Sequence, residues 1–167
     1  MDWQVDDIPD QSGRIFFVTG ANSGLGLETT KALINKGATV VMACRSIEKA
    51  REAKERLLIK PRSGIIELLE LDLSDLNNVS RVAKEFSDRY GRLDVLINNA
   101  GVMAPPRTLS KQSLEIQFAV NHLAHMALTI KLLPLLSKRK FSRVVTVSSG
   151  AQYLGKIEWE DLQGEKN

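Results

Sequence analysis

Residues 19–26 read Thr-Gly-Ala-Asn-Ser-Gly-Leu-Gly, and glycines at that spacing can bring a backbone against a phosphate. Gly20 permits a tight turn, Gly24 leaves room for a pyrophosphate, and Gly26 lets a following helix pack closely. Residues 14–18 before the turn are an apolar run fit for a buried parallel strand. Leu27 to Lys36 after it reads as a helix closed by Gly37. The start of that helix would offer unpaired N–H groups and partial positive charge to an anion. The alternative is a glycine-rich turn that holds no ligand.

Other reactive residue types stand at the ends of apolar runs. Ser148 and Ser149 follow one of them, Asn98 and Asn99 another, and Asp72 a third. For Asp72 and for the Ser-Ser pair, ordinary turn chemistry is an open alternative. Asn121 falls on a stripe with Leu114, Phe118, His125, Leu128 and Leu132, which predicts a core-facing amide that must find partners. His122 and His125 form His-x-x-His on the same helix. Their spacing differs from the i, i+4 pair of zinc helices and no third ligand is near, so no metal site is expected.

The elements that carry these residues alternate. Strands are predicted at 14–18, 38–43, 65–70, 93–97 and 143–147, and helices at 24–36, 46–59, 75–89 and 110–136. Ser46 and Ser74 are expected N-caps, and Pro134 should kink or end the last helix. Alternation of this kind implies an α/β fold of the Rossmann type, a doubly wound parallel sheet of about five strands with both faces covered. A dinucleotide would bind at the carboxyl ends of the strands.

Bulk properties exclude several classes. The 167 residues suffice for a single domain, 1–167, and 43% hydrophobic with 26% charged residues is ordinary for a globular chain. A net charge of +3 with scattered basic residues gives no reason to expect nucleic-acid binding. The cluster Lys138-Arg139-Lys140 follows a helix, where cations suit the dipole. The single cysteine, Cys44, excludes an internal disulfide and points to a reducing, cytoplasmic setting. No apolar run approaches the ~20 residues of a membrane span, and residues 1–13 lack the order of a signal peptide.

Four stretches together resemble the short-chain dehydrogenase/reductase family: the 19–26 turn, Asn-Asn-Ala-Gly at 98–101, Val-Asn-His at 120–122 and Val-Ser-Ser at 147–149. Ala-Cys-Arg-Ser at 43–46, Val-Asn-His-Leu-Ala-His at 120–125, Gly-Lys-Ile at 155–157 and Asp-Leu-Gln at 161–163 resemble its retinol-dehydrogenase-like branch. The resemblance spans residues 14–163. It implies an oxidoreductase that transfers a hydride between a nicotinamide and a carbonyl or alcohol substrate, for which a lipophilic compound is one candidate. It implies dinucleotide contacts from Gly20, Asn22, Ser23, Gly24, Leu25, Gly26, Arg45, Asp72, Leu73, Asn99, Ala100 and Gly101. It makes Asn98 a brace between the central strands. It also makes Ser149 the serine that positions the reacting oxygen, and Asn121 the holder of a water in a proton relay.

Charge then selects the dinucleotide. NAD-preferring folds place an acid at the end of the second strand, where this chain has Cys44 followed by Arg45. A guanidinium there can pair bidentately with a 2′-phosphate, so NADP(H) is the expected cofactor; a solvated arginine is the alternative.

The chain departs from the family in its acid. The family uses a tyrosine with a lysine four positions later, and no Tyr-x-x-x-Lys occurs here. Tyr90 ends the third helix, and Tyr153 lies four residues after Ser149 and three before Lys156. The expectation is therefore an N-terminal portion of such an enzyme, cut before its catalytic helix and inactive by itself. Its last strand would have a bare edge and its exposed apolar helix face would favour self-association, with a homo-oligomer for the longer form. The alternative is a non-catalytic dinucleotide-binding module that acts through a partner.

Overall fold

The apolar run at 15–18 has no polar face, and it becomes the central strand of a parallel sheet. In a computed structural model, which describes residues 3–59, 63–153 and 155–166, β1 (Ile15–Thr19), α1 (Gly24–Asn35), β2 (Thr39–Cys44) and α2 (Ile47–Leu58) come first. There follow β3 (Ile65–Glu70), α3 (Leu76–Tyr90), β4 (Val95–Asn98), a π-helical turn (Phe118–Leu123) running into α4 (Ala124–Leu136), and β5 (Arg143–Thr146). The strands are parallel throughout and lie in the order β3-β2-β1-β4-β5. This is the expected Rossmann-type sheet. The end residues of the expected domain, Met1 and Asn167, lie outside the described residues.

Strand alternation assigns the two faces. Phe16, Val18, Val40 and Met42 pack with Ile34 of α1 and with Ala50 and Ala53 of α2. Phe17, Val41 and Leu96 face the other way, onto Val79 and Phe86 of α3 and Leu128 and Leu132 of α4. The Phe17 and Phe86 rings meet edge to face at 5.1 Å. By the same alternation Thr19 points to the α4 side, where it is fully buried.

Three expectations about helix ends need correction. The segment 110–115 is not helical: Leu109 bridges Glu115, and Ser113 takes a left-handed φ of 58°. The Glu115 carboxylate then caps the helix, accepting from the N–H groups of Gln117 at 2.9 Å and Phe118 at 2.7 Å. Ser46 does cap α2, accepting from the Lys49 N–H at 3.3 Å. Asp75, not Ser74, caps α3, through the N–H of Asn77 at 2.9 Å. Ser74 instead donates to Asp72, its hydroxyl at 2.6 Å and its N–H at 2.9 Å. Pro134 sits in the last turn of α4, and the helix runs on to Leu136.

The π turn corrects the stripe as well. In it the Ala124 N–H reaches back five residues to the Ala119 carbonyl, which rotates the following residues. Ala119, Val120, Ala124, His125 and Leu128 are buried, while Asn121 is exposed. Phe118–Leu136 is also long and apolar enough to cross a membrane by length and composition, with mean hydropathy 1.3 over 19 residues, contrary to the expectation that no run approaches that length. It packs through Leu128, Leu132 and Leu135 as a helix of the sheet core.

At the amino end of the sheet, Asp94 ties three elements together. Its carboxylate is 4% exposed and accepts from the Ile15 N–H at 2.9 Å and from Arg139 Nε at 3.0 Å. Lys138 donates to the Gly91 carbonyl at 3.0 Å, so two cations of the 138–140 cluster act within the fold. β5 ends the sheet: its four residues are exposed and, among the described residues, pair only with β4. Replacing Asp94 by Ala would leave the half-buried Ile15 N–H without its acceptor and the Arg139 guanidinium without its partner. The expected loss in a urea unfolding titration is about 2–3 kcal/mol.

Candidate functional site

The carboxyl ends of β1, β2 and β4 open into a cleft of about 720 Å³. Gly20, Asn22, Ser23, Leu25, Arg45, Asp72, Leu73, Asn99, Ala100 and Gly101 line it, ten of the residues expected to contact a dinucleotide. Gly24 and Gly26 shape it from behind. Gly24 has a φ of 53° and open space where a Cβ would stand, a position that suits a close ligand. A Cβ on Gly26 would come within 2.5 Å of the Gly20 carbonyl and 2.6 Å of Asn99 Nδ2. Gly26 therefore accommodates the turn and the Asn99 side chain more directly than a strand. The first turn of α1 carries no acid, so nothing opposes an anion at its start.

The loop after β4 is tied to this turn. Asn99 Nδ2 donates to the Thr19 carbonyl at 2.8 Å, and the N–H groups of Asn99 and Ala100 both donate to Thr19 Oγ1 at 2.9 Å. Asn98 braces the neighbouring elements, its Nδ2 donating to Thr129 Oγ1 at 3.1 Å. Thr19 was not singled out in the sequence; its position two residues past Phe17 on an inward face is the signal that marks it.

The electrostatics at the end of β2 are one-sided. Cys44 is buried beside the Ala21–Asn22 turn, and burial pushes its thiol up to about 11, so it carries no charge near neutral pH. Arg45 follows it, exposed on the cleft wall, and among the described residues no carboxylate pairs with it. Asp72 lines the cleft too, with one oxygen committed to the Ser74 turn, so its two readings coexist.

The wall opposite the glycines comes from the segment after Gly101. Val102, Pro105, Thr108 and Ile116 line the cleft from there. A clasp at 110–112 holds that segment to α3: Lys111 Nζ lies 2.9 Å from Asp75, Gln112 Nε2 donates to Asp75 at 3.1 Å, and its Oε1 accepts from Leu76 N at 3.1 Å.

Neither expected reactive residue lines the cleft. Asn121 stands beside it: its Oδ1 would meet a Cβ on Gly101 at 3.4 Å, and its side chain brackets Val102, accepting from the N–H and donating to the carbonyl, both at 2.8 Å. This amide is exposed and partnered, where a core-facing one was expected. Ser149 is exposed and its Oγ accepts from the Ala151 N–H at 3.2 Å, as in a turn. Tyr153 is 86% exposed, and Tyr90 stacks on Phe86 in the core of the α3 side, where burial raises its hydroxyl's pKa. His125 is buried, and burial lowers its imidazole's pKa.

A doubly wound sheet with a glycine turn and an arginine at one cleft has the architecture of a dinucleotide-binding fold. Comparison with known proteins agrees. A model of the short chain dehydrogenase family matches residues 14–160, and the chain belongs to that family. It is 45% identical to a short-chain dehydrogenase/reductase of Armillaria gallica, covering 95% of this chain and 54% of that protein. It is 42% identical to human retinol dehydrogenase 11, covering 92% and 48%. The chain thus spans about half the length of the curated relatives it matches. A crystal structure of an uncharacterised protein from Mycobacterium paratuberculosis superposes with a TM-score of 0.86 at 44% identity, over 99% of this chain and 57% of that one. Pseudomonas aeruginosa RhlG in its NADP complex superposes with a TM-score of 0.74 at 27% identity, over 93% and 62%.

The clasp has a measurable pH signature. Lys111 and then Gln112 hold the Asp75 carboxyl down to about 2, from an ordinary 3.8. The folded state therefore binds fewer protons than the unfolded one in that window, and stability rises with pH across it. The contribution is complete above the ordinary value and is lost as pH falls through about 2. Denaturant titrations of wild type and Asp75→Asn should differ above pH ~4 and converge toward pH ~2.

Proposed function

We propose that this chain is the NADP(H)-binding portion of a short-chain dehydrogenase/reductase that acts on a small carbonyl or alcohol substrate. The observation that carries the reading is the pairing of an uncharged Cys44 with a free-standing Arg45 on the wall of a glycine-cradled cleft. The fit is physical: open space at Gly24, an acid-free start to α1, and a cleft of about 720 Å³. Gly20, Asn22, Ser23, Gly24 and Leu25 hold the pyrophosphate, and Gly26 keeps the turn tight. Arg45 takes the 2′-phosphate in preference to the 2′-hydroxyl of NAD. Asp72 and Leu73 meet the adenine, and Asn99, Ala100 and Gly101 pass beside the nicotinamide ribose. NADP is bound in the RhlG complex and in a metagenomic short-chain oxidoreductase that is 31% identical to this chain, which supports the choice.

A nicotinamide held in the cleft would supply hydride-transfer chemistry at a carbonyl or carbinol carbon. The residues of this chain orient that exchange: Ser149 offers a hydroxyl to the reacting oxygen, and Asn121 anchors the loop beside the ring and holds a relay water. The sequence has no Tyr-x-x-x-Lys, the pair that serves the family as its acid. In this reading the buried, reduced Cys44 sits in a cytoplasmic setting, and the longer form is a homo-oligomer. A second reading, a binding module without turnover, draws on the Ser149 hydroxyl's engagement in its own turn.

Two measurements test these assignments. Titration of the chain with NADPH and with NADH should give tighter binding of NADPH; equal or reversed affinities would refute the assignment. Arg45→Asp should weaken NADPH by roughly 1.5–3 kcal/mol, the value of a charge-assisted pair, and leave NADH little changed. NADPH oxidation against a panel of aldehydes, ketones and retinal should be negligible, because missing general acid catalysis costs ~10²–10⁴ in rate. Robust turnover that vanishes in Tyr153→Phe would make Tyr153 the acid.

A further inference from the structure

Thr19 Oγ1 is fully buried and has four polar neighbours. The N–H groups of Asn99 and Ala100 approach it at 2.9 Å each, and between them they occupy both lone pairs of the hydroxyl oxygen. The single hydroxyl hydrogen then has two possible acceptors, His125 Nε2 at 2.9 Å and the Ile97 carbonyl at 3.5 Å. The shorter one takes it. Nε2 must therefore be unprotonated, and Nδ1 carries the ring hydrogen, which points to the Asn121 carbonyl at 3.2 Å.

We propose that His125 is a positioning residue of the dinucleotide cleft, which orients the Thr19 hydroxyl so that its oxygen clasps the loop bearing Asn99 and Ala100. The proposal rests on the dinucleotide reading of that cleft. Without an acceptor at Nε2, the hydroxyl hydrogen would turn to a carbonyl 3.5 Å away or toward one of the two incoming N–H groups. Either rotation loosens a loop that approaches the glycine turn within the space of a methyl group, since a Cβ on Gly20 would stand 2.9 Å from Ala100 Cα. The other end of the imidazole reaches the π turn, whose residue Asn121 brackets Val102. One neutral ring thus backs both the phosphate turn and the loop beside the ribose. Burial favours that neutral form, consistent with the lowered pKa of the imidazole.

The test combines a spectrum with a set of variants. A long-range ¹H–¹⁵N spectrum of the wild-type chain at neutral pH should place His125 in the Nδ1–H tautomer; a proton on Nε2 would overturn the proposal. NADPH titrations, with melting temperature measured alongside, should show binding weakened about tenfold in His125→Leu, the equivalent of one hydrogen bond. His125→Gln, which keeps an acceptor near the Nε2 position, should restore most of it. Thr19→Val, which also takes the acceptor from the Asn99 and Ala100 N–H groups, should weaken binding at least as much as His125→Leu, and the double variant should be no weaker than Thr19→Val alone. Wild-type affinity in a folded His125→Leu, or full additivity in the double variant, would refute the inference. A wild-type chain that binds no dinucleotide would instead refute the reading of the cleft, while the tautomer still decides the hydrogen-bond assignment.

Discussion

The 20–26 turn and the 98–101 loop approach so closely that no side chain fits between them, and the rest of the site depends on that closeness. A Cβ at Gly20 would strike the Ala100 backbone at 2.9 Å, and one at Gly26 would strike Asn99 Nδ2 at 2.6 Å. Two backbones held at this distance leave little room for water between them, so their facing polar groups are satisfied by one another. Thr19 supplies the acceptor and Asn99 the donor. The cleft exists because these contacts set the ends of β1 and β4 side by side and leave the end of β2 open next to them.

Charge is distributed around the cleft in a way that the packing explains. Cys44 is apolar in effect, a neutral thiol buried with the α1–α2 core, so Arg45 is the only charge that the end of β2 presents. On the segment after Gly101 the ionic groups are engaged locally: Lys111 pairs with Asp75, and Glu115 caps the helix that follows. An anion entering the cleft therefore meets an unshared guanidinium and the N–H groups at the start of α1, with the Asp72 carboxylate, one oxygen of which is held in the Ser74 turn, also on the lining.

The reactive side of the site is less developed than the binding side. Asn121 stands next to the cleft and Ser149 beyond it, each occupied by backbone partners. β5, which leads to Ser149, is exposed and borders the sheet, and the chain matches about half the length of its curated relatives. Binding groups sit on elements packed from both faces; the serine sits past a strand with little covering. That difference is why the dinucleotide half of the chemistry can be argued from geometry and the acid–base half cannot be built from these residues.

The sequence by itself determined the strand–helix alternation, the parallel sheet and the glycine turn between β1 and α1. Those features are local: apolar runs of strand length, glycines at set offsets, and a missing acid after the second strand act within a few residues of one another. It also marked Asn121 and Ser149, but not what they touch. Only the tertiary structure decided that residues 110–115 form a clasp in place of a helical turn, because Asp75 captures Lys111 and Gln112 from across the chain. Only it moved Asn121 out of the core, through a π turn whose extra residue no apolar periodicity announces. Only it paired Thr19 with His125, which are 106 positions apart. Strand alternation sends Thr19 toward α4, but which α4 side chain meets it depends on how that helix is rotated against the sheet. That rotation is settled by the packing of Leu128 and Leu132 on Phe17 and Leu96, a property of the assembled core and not of either segment alone.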